Sequence, residues 1–132
     1  MKPVVLVCRI LLGLMFFVFG LNNILHFIHM PLPSGDALTW IGILAAHHWM
    51  NFVGTIMTVA GLLLLVNRFV PLALTLLAPL IVSILMYHAL LWPHGAAAAI
   101  VALVLELVLI AAYFGSFLPL LAMNPEVDAH RL

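Results

Sequence analysis

The chain has 132 residues, of which 67% are hydrophobic and only 6% charged, with a formal net charge of zero. A soluble domain carries roughly 25% charged residues, so this composition leaves too little polar surface for a globule in water, and lipid is the solvent that suits it. The missing basic excess argues against a nucleic-acid partner, and a single cysteine, Cys8, excludes an internal disulfide or a C-x-x-C redox pair.

Lys2 is followed by an apolar run from Val4 to about Ile28. That run outlasts the ~7–15-residue core of a signal peptide, and no small-x-small cleavage site follows it, so it reads as a retained first span. A membrane-spanning helix needs about 20 mainly apolar residues. On that measure the spans are expected at about 4–28, 47–66, 70–91 and 96–118. Turn chemistry separates them: Pro31-Leu32-Pro33-Ser34-Gly35, then Asn67-Arg68, then Trp92-Pro93-His94-Gly95. Ser34 or Asp36 is placed to cap a short helix running to about Ala46, lying in the outer interface or folding back over the bundle. The expected fold is all-α: an integral membrane four-helix bundle, left-handed and antiparallel.

Lys2, Arg9, Arg68 and Arg131 fall on one side if four spans alternate, which predicts both ends on the cytoplasmic side. The expected location is a cell membrane, the inner membrane of a bacterium. The histidines divide the other way. His26, His29, His47, His48, His88 and His94 belong to the outer half, and only His130 to the inner tail. Trp40, Trp49 and Trp92 also map to the outer boundary, where aromatic rings anchor a chain to the headgroups.

Glu106 lies about 10 residues into the fourth span, about 15 Å deep. A carboxyl there must be protonated, paired, or turned toward an enclosed polar cavity. Arg9, about two turns into the first span, is its natural partner as a buried charge pair. It heads a stripe of Arg9, Gly13, Phe16, Gly20, Asn23 and Phe27 whose glycines permit close helix contact. The pair is read either structurally, as a salt bridge that orders the bundle or an Arg that snorkels to the inner headgroups, or as a proton-transfer or substrate-binding site. Pro79 should kink the third span near Thr75, whose hydroxyl can satisfy groups freed by the missing donor.

Asn22, His26, Ser83 and His88 reach similar outer depth, beside Trp40 and Tyr87, and form a candidate ligand pocket. Histidine there can bind a quinone carbonyl, move protons or ligate a metal, or it can simply sit in the interface among water and headgroups. His26, His29, His47 and His48, with Met30 and Met50 nearby, are the metal candidates, although no spacing among them is diagnostic of a metal. No catalytic residue is identifiable.

Several segments together resemble the DoxX-like family of small four-helix membrane proteins. They are Arg9-Ile10-Leu11-Leu12-Gly13, Phe19-Gly20-Leu21-Asn22 on to Leu25-His26-Phe27, and Gly61 through Leu72 with its Asn67-Arg68-Phe69-Val70-Pro71 centre. Leu77-Ala78-Pro79, Ser83 through His88, and Leu105-Glu106-Leu107 complete the set. The resemblance covers nearly the whole chain. It implies a redox association, since the name-giving members are linked to thiosulfate:quinone oxidoreductase and others to membrane-bound thiol and oxidative-stress assemblies. Two positions depart from the pattern: no glutamate stands in Ile56-Met57-Thr58-Val59-Ala60-Gly61, and Ser83 replaces the usual Asn. The expected function is an accessory or quinone-linked component of a membrane redox system, with other membrane subunits or a second copy as partners. Electron transfer would depend on such a partner, a quinone, or a metal or haem. The alternatives are a non-enzymatic structural subunit of a larger membrane complex and a small carrier or channel.

Overall fold

The computed structural model describes residues 2–128 and 130. Arg131, one of the four basic residues of the orientation argument, lies outside the described residues. All regular structure among them is helical.

Helix α1 spans Lys2–Leu25 and buries Arg9, Leu12, Gly13, Phe16, Gly20 and Asn22. Most of these recur at three- and four-residue intervals and so form one face. It stops short of the expected Ile28 because His26 turns left-handed, with φ of 54°. The His26 N–H bonds the Asn22 carbonyl at 2.9 Å, an αL termination. The Asn22 side-chain oxygen then accepts the Ile28 N–H at 2.7 Å, fastening the departing chain.

Helix α2, Gly35–Ala46, is the short helix expected before the second span, and only Ala37 on it is buried. Helix α3, Trp49–Leu65, leaves it at 82°. His47 and His48, expected to open the second span, instead form that corner, with His48 left-handed at φ of 60°. The far end of α3 closes as a Schellman motif. Arg68 N–H bonds the Leu63 carbonyl at 3.0 Å and Asn67 N–H the Leu64 carbonyl at 3.3 Å, with Asn67 in the left-handed region.

Helix α4, Val70–Leu90, follows at once, with Pro71 in its first turn, where a missing N–H costs nothing. Pro79 lies inside it, and Thr75 donates its hydroxyl to Pro71 O at 2.8 Å. Thr39, Thr55 and Thr58 make the same bond to the carbonyl four residues back. Such bonds let a hydroxyl face an apolar medium without an unpaired donor. Helix α5, Ala96–Ala112, ends well before the expected Leu118, and the chain turns 83° into α6, Phe114–Phe117, and a 3-10 turn at Leu118–Leu121. The apolar run continues through the corner, which falls at Tyr113 with φ of −105° and ψ of 20°, and Pro119 stands in the first turn of the 3-10 segment.

Helix α1 packs on α3 and α5, and α4 packs on the same two, so contacts run around all four. Leu12, Leu64, Leu74, Leu77, Ile81 and Leu109 are wholly buried between them. The α1–α3 contact is the closest. A Cβ added to Gly61 would stand 2.4 Å from Phe17 N, and one on Gly20 would stand 2.6 Å from Thr58 N. Gly13 meets Gly61 and Gly20 meets Gly54, so the two helices run antiparallel with backbones nearly touching. The outward surface is apolar all round, with Leu11, Leu14, Val59, Leu72, Val82, Val101, Val104 and Leu107 exposed. Two helices, α1 and α4, are long and apolar enough to cross a membrane, and four segments are if each bent pair, α2 with α3 and α5 with the 114–121 segment, counts as one. Such a surface is compatible with a membrane protein.

Candidate functional site

Two places combine polar chemistry with space. The first lies where the start of α1, the end of α3 and the end of α5 meet. Lys2, Val5, Leu6, Arg9, Asn67, Ala112 and Tyr113 line an open cleft of about 340 Å³ there. The buried Arg9 guanidinium donates from Nη1 to the Leu64 carbonyl, and reaches the Leu65 carbonyl at 3.4 Å. These carbonyls belong to the last turn of α3, where Leu64 O also accepts the Asn67 N–H at 3.3 Å, and that turn carries the negative end of the helix dipole. A cation with several donors is well suited to that position.

Glu106 is also buried, at 2% exposure, on the inward face of α5 with Ala99, Ala102 and Leu109. Neither carboxyl oxygen has a hydrogen-bond partner among the described residues. The structure therefore buries both members of the expected Arg9–Glu106 pair but does not join them by a hydrogen bond or ion pair, because Arg9 is engaged by α3. The glycines that bring α3 so close to α1 make this arrangement possible: Gly13 lies against Gly61, Leu64 and Leu65, one helical turn from Arg9. The seven-residue spacing of Gly54 and Gly61 matches that of Gly13 and Gly20, and it is the sequence signal from which Arg9's partners could have been found.

The second place is an open groove of about 280 Å³ between α2 and α4, lined by Trp40, Ser83, Met86, Tyr87, Leu90 and Leu91. Trp40 stacks on Tyr87 with ring centroids 5.4 Å apart and an interplanar angle of 26°, and this contact joins the outer helix to α4. Three of the candidate pocket residues, Trp40, Ser83 and Tyr87, are thus gathered in one groove. Asn22, His26 and His88 are not among its lining. Asn22 is occupied in ending α1, and His26 is exposed just beyond it. His88 meets the Tyr87 ring edge-on at 5.0 Å, and its Nδ1 lies 2.8 Å from Trp92 O. A carbonyl only accepts, so Nδ1 carries a proton in this contact.

His29, His47, His48 and His94 are exposed. Among the described residues no three His, Cys, Asp or Glu side chains are placed to hold one metal ion, and His26, His29, His47 and His48 do not converge. Trp92 packs on His94 at 4.9 Å and Trp49 on Phe52 at 5.3 Å, so the outer aromatics are used locally. No family model, curated protein or solved structure matches the chain.

Proposed function

We propose that this chain is a four-span membrane bundle with both ends on the cytoplasmic side, set in a bacterial inner membrane. In this reading it serves as an accessory subunit of a redox system, as its resemblance to the DoxX-like family implies. Its ligand is a quinone-like amphipath held against α2 and α4. The orientation is supported by Lys2, Arg9 and Arg68 all lying at one end of the helices, with the outer histidines and tryptophans at the other. The ligand reading is carried by one observation: the Trp40–Tyr87 stack sits in an apolar groove beside the exposed hydroxyl of Ser83. Aromatic and aliphatic walls with a few polar groups are the usual composition of a site for a ring compound. A groove open along its side lets such a compound slide in from the bilayer. Partner subunits or a second copy would cover the remaining apolar surface.

Purification in native-like membrane discs, followed by extraction and mass spectrometry, tests this. Wild type is expected to retain a quinone or related isoprenoid ring compound. Trp40→Ala should weaken retention by about 1–2 kcal/mol, roughly a decade in affinity. A wild-type preparation free of any such compound, also failing to bind an added ubiquinone or menaquinone analogue, defeats the ligand reading.

A further inference from the structure

The carboxyl of Glu106 belongs to neither the outer groove nor the Arg9 anchor. We propose that Glu106 is a proton-binding site in the interior of the helix assembly, a neutral carboxylic acid that exchanges its proton with the cytoplasmic aqueous phase through the cleft at Lys2, Arg9 and Tyr113. The inference needs the helices to stand in a membrane but does not depend on any redox partner or outer ligand.

Four observations carry it. Glu106 is 2% exposed, and both its oxygens lack a partner among the described residues. An isolated carboxylate in apolar surroundings is so costly that the group takes up a proton instead. Arg9, the nearest cation in the expected pairing, donates to Leu64 and Leu65 carbonyls. Tyr113, the residue that ends α5, lines the cleft seven residues on from Glu106, about 10 Å along the axis, with Ile110 between them. The helices packed against α5 are α1 and α4. Their ionisable groups are Lys2, Cys8 and Arg9 on α1, with Lys2 and Arg9 in the cleft, and Tyr87 and His88 at the far, outer end of α4. Among the described residues no second carboxyl side chain shares the interior, because Asp36, Glu126 and Asp128 are all exposed.

The test uses the full chain in liposomes near neutral pH with dicyclohexylcarbodiimide, an apolar reagent that reaches protonated acids in a membrane. The acid proton passes to a carbodiimide nitrogen as the carboxyl oxygen bonds the central carbon. The adduct then rearranges to a stable N-acylurea, with no atom lost. Peptide mass spectrometry should find the adduct at Glu106 and not at Asp36, Glu126 or Asp128, and Glu106→Gln should abolish it. Infrared spectroscopy should detect a carboxylic C=O band that shifts in D2O and is absent from Glu106→Gln. Leu6→Trp, which narrows the cleft, should slow that shift several-fold. If Glu106→Gln does not fold, labelling and the D2O shift in wild type still decide. An unlabelled Glu106 with no carboxylic band overturns the proton site. A band that never shifts, or one that shifts equally fast in Leu6→Trp, overturns the inner route.

Discussion

The contact between α1 and α3 and the contact between α2 and α4 lie in the same molecule but follow different rules. Along α1–α3, four glycines let two backbones approach until a Cβ added at Gly20, Gly54 or Gly61 would collide and one at Gly13 would be tight, and Arg9 crosses to bond the carbonyls that end α3. Along α2–α4, one aromatic stack spans an open groove, and α2 buries only Ala37. Lipid tails are as apolar as leucine, so burying apolar surface does not by itself drive helices together in a bilayer. Close packing and internal polar bonds do. The first contact has both and forms a stiff spine. The second has little of either, which leaves room for a ligand.

Gly61→Ala should break the spine most severely. Its new Cβ meets backbone atoms of Phe17 and Gly13, which cannot rotate away. A loss of about 1–3 kcal/mol or more is expected, read as an earlier midpoint in a denaturing-detergent titration. Gly20→Ala should behave alike, since its contacts include Thr58 N and Gly54 O. Arg9→Met comes next, at about 1–3 kcal/mol, because it removes the charged donor from the Leu64 and Leu65 carbonyls and leaves Leu64 O with the 3.3 Å bond from Asn67 N–H. Since Arg9 is anchored on α3, its effect should add to that of Glu106→Met within about 0.5 kcal/mol in a double-mutant cycle. Strong coupling would restore a direct pair. Trp40→Ala should cost only about 0.5–1.5 kcal/mol and act locally. Hydrogen exchange over residues 35–46 should rise while the detergent midpoint stays put. Gly42→Ala is the smallest: nothing lies within 4 Å of its Cβ, and better helix propensity should stabilise α2 by up to ~1 kcal/mol.

The apolar surface of the chain and the rough position of each helix were legible, because long apolar runs and Pro/Gly/Asn breaks act locally. The α1 stripe was legible too: Arg9, Gly13, Phe16 and Gly20 fall on one face by spacing alone. What they touch was not. Glu106 drew attention as the conspicuous opposite charge, whereas Arg9 is held by main-chain carbonyls, which every residue possesses and no side-chain pattern marks. The corner after Ala112 escaped for a related reason. Hydropathy continues unbroken through Tyr113 and Phe117, and only Gly115, Ser116 and Pro119 hint at the turn. Spacing sets Asn22 at the depth of the candidate pocket, but it ends a helix, a use that depends on the backbone geometry of His26 and Ile28.

The central claim, four crossings with both ends inside, is tested most directly by cysteine accessibility in intact cells. With Cys8→Ser as background, single cysteines at Ser34, His94, Asn67 and Val127 sample both ends of the helices, and all four positions are exposed. An impermeant thiol reagent added outside should label Ser34→Cys and His94→Cys, and should reach Asn67→Cys and Val127→Cys only after lysis. Labelling of Asn67→Cys or Val127→Cys in unbroken cells would contradict the account.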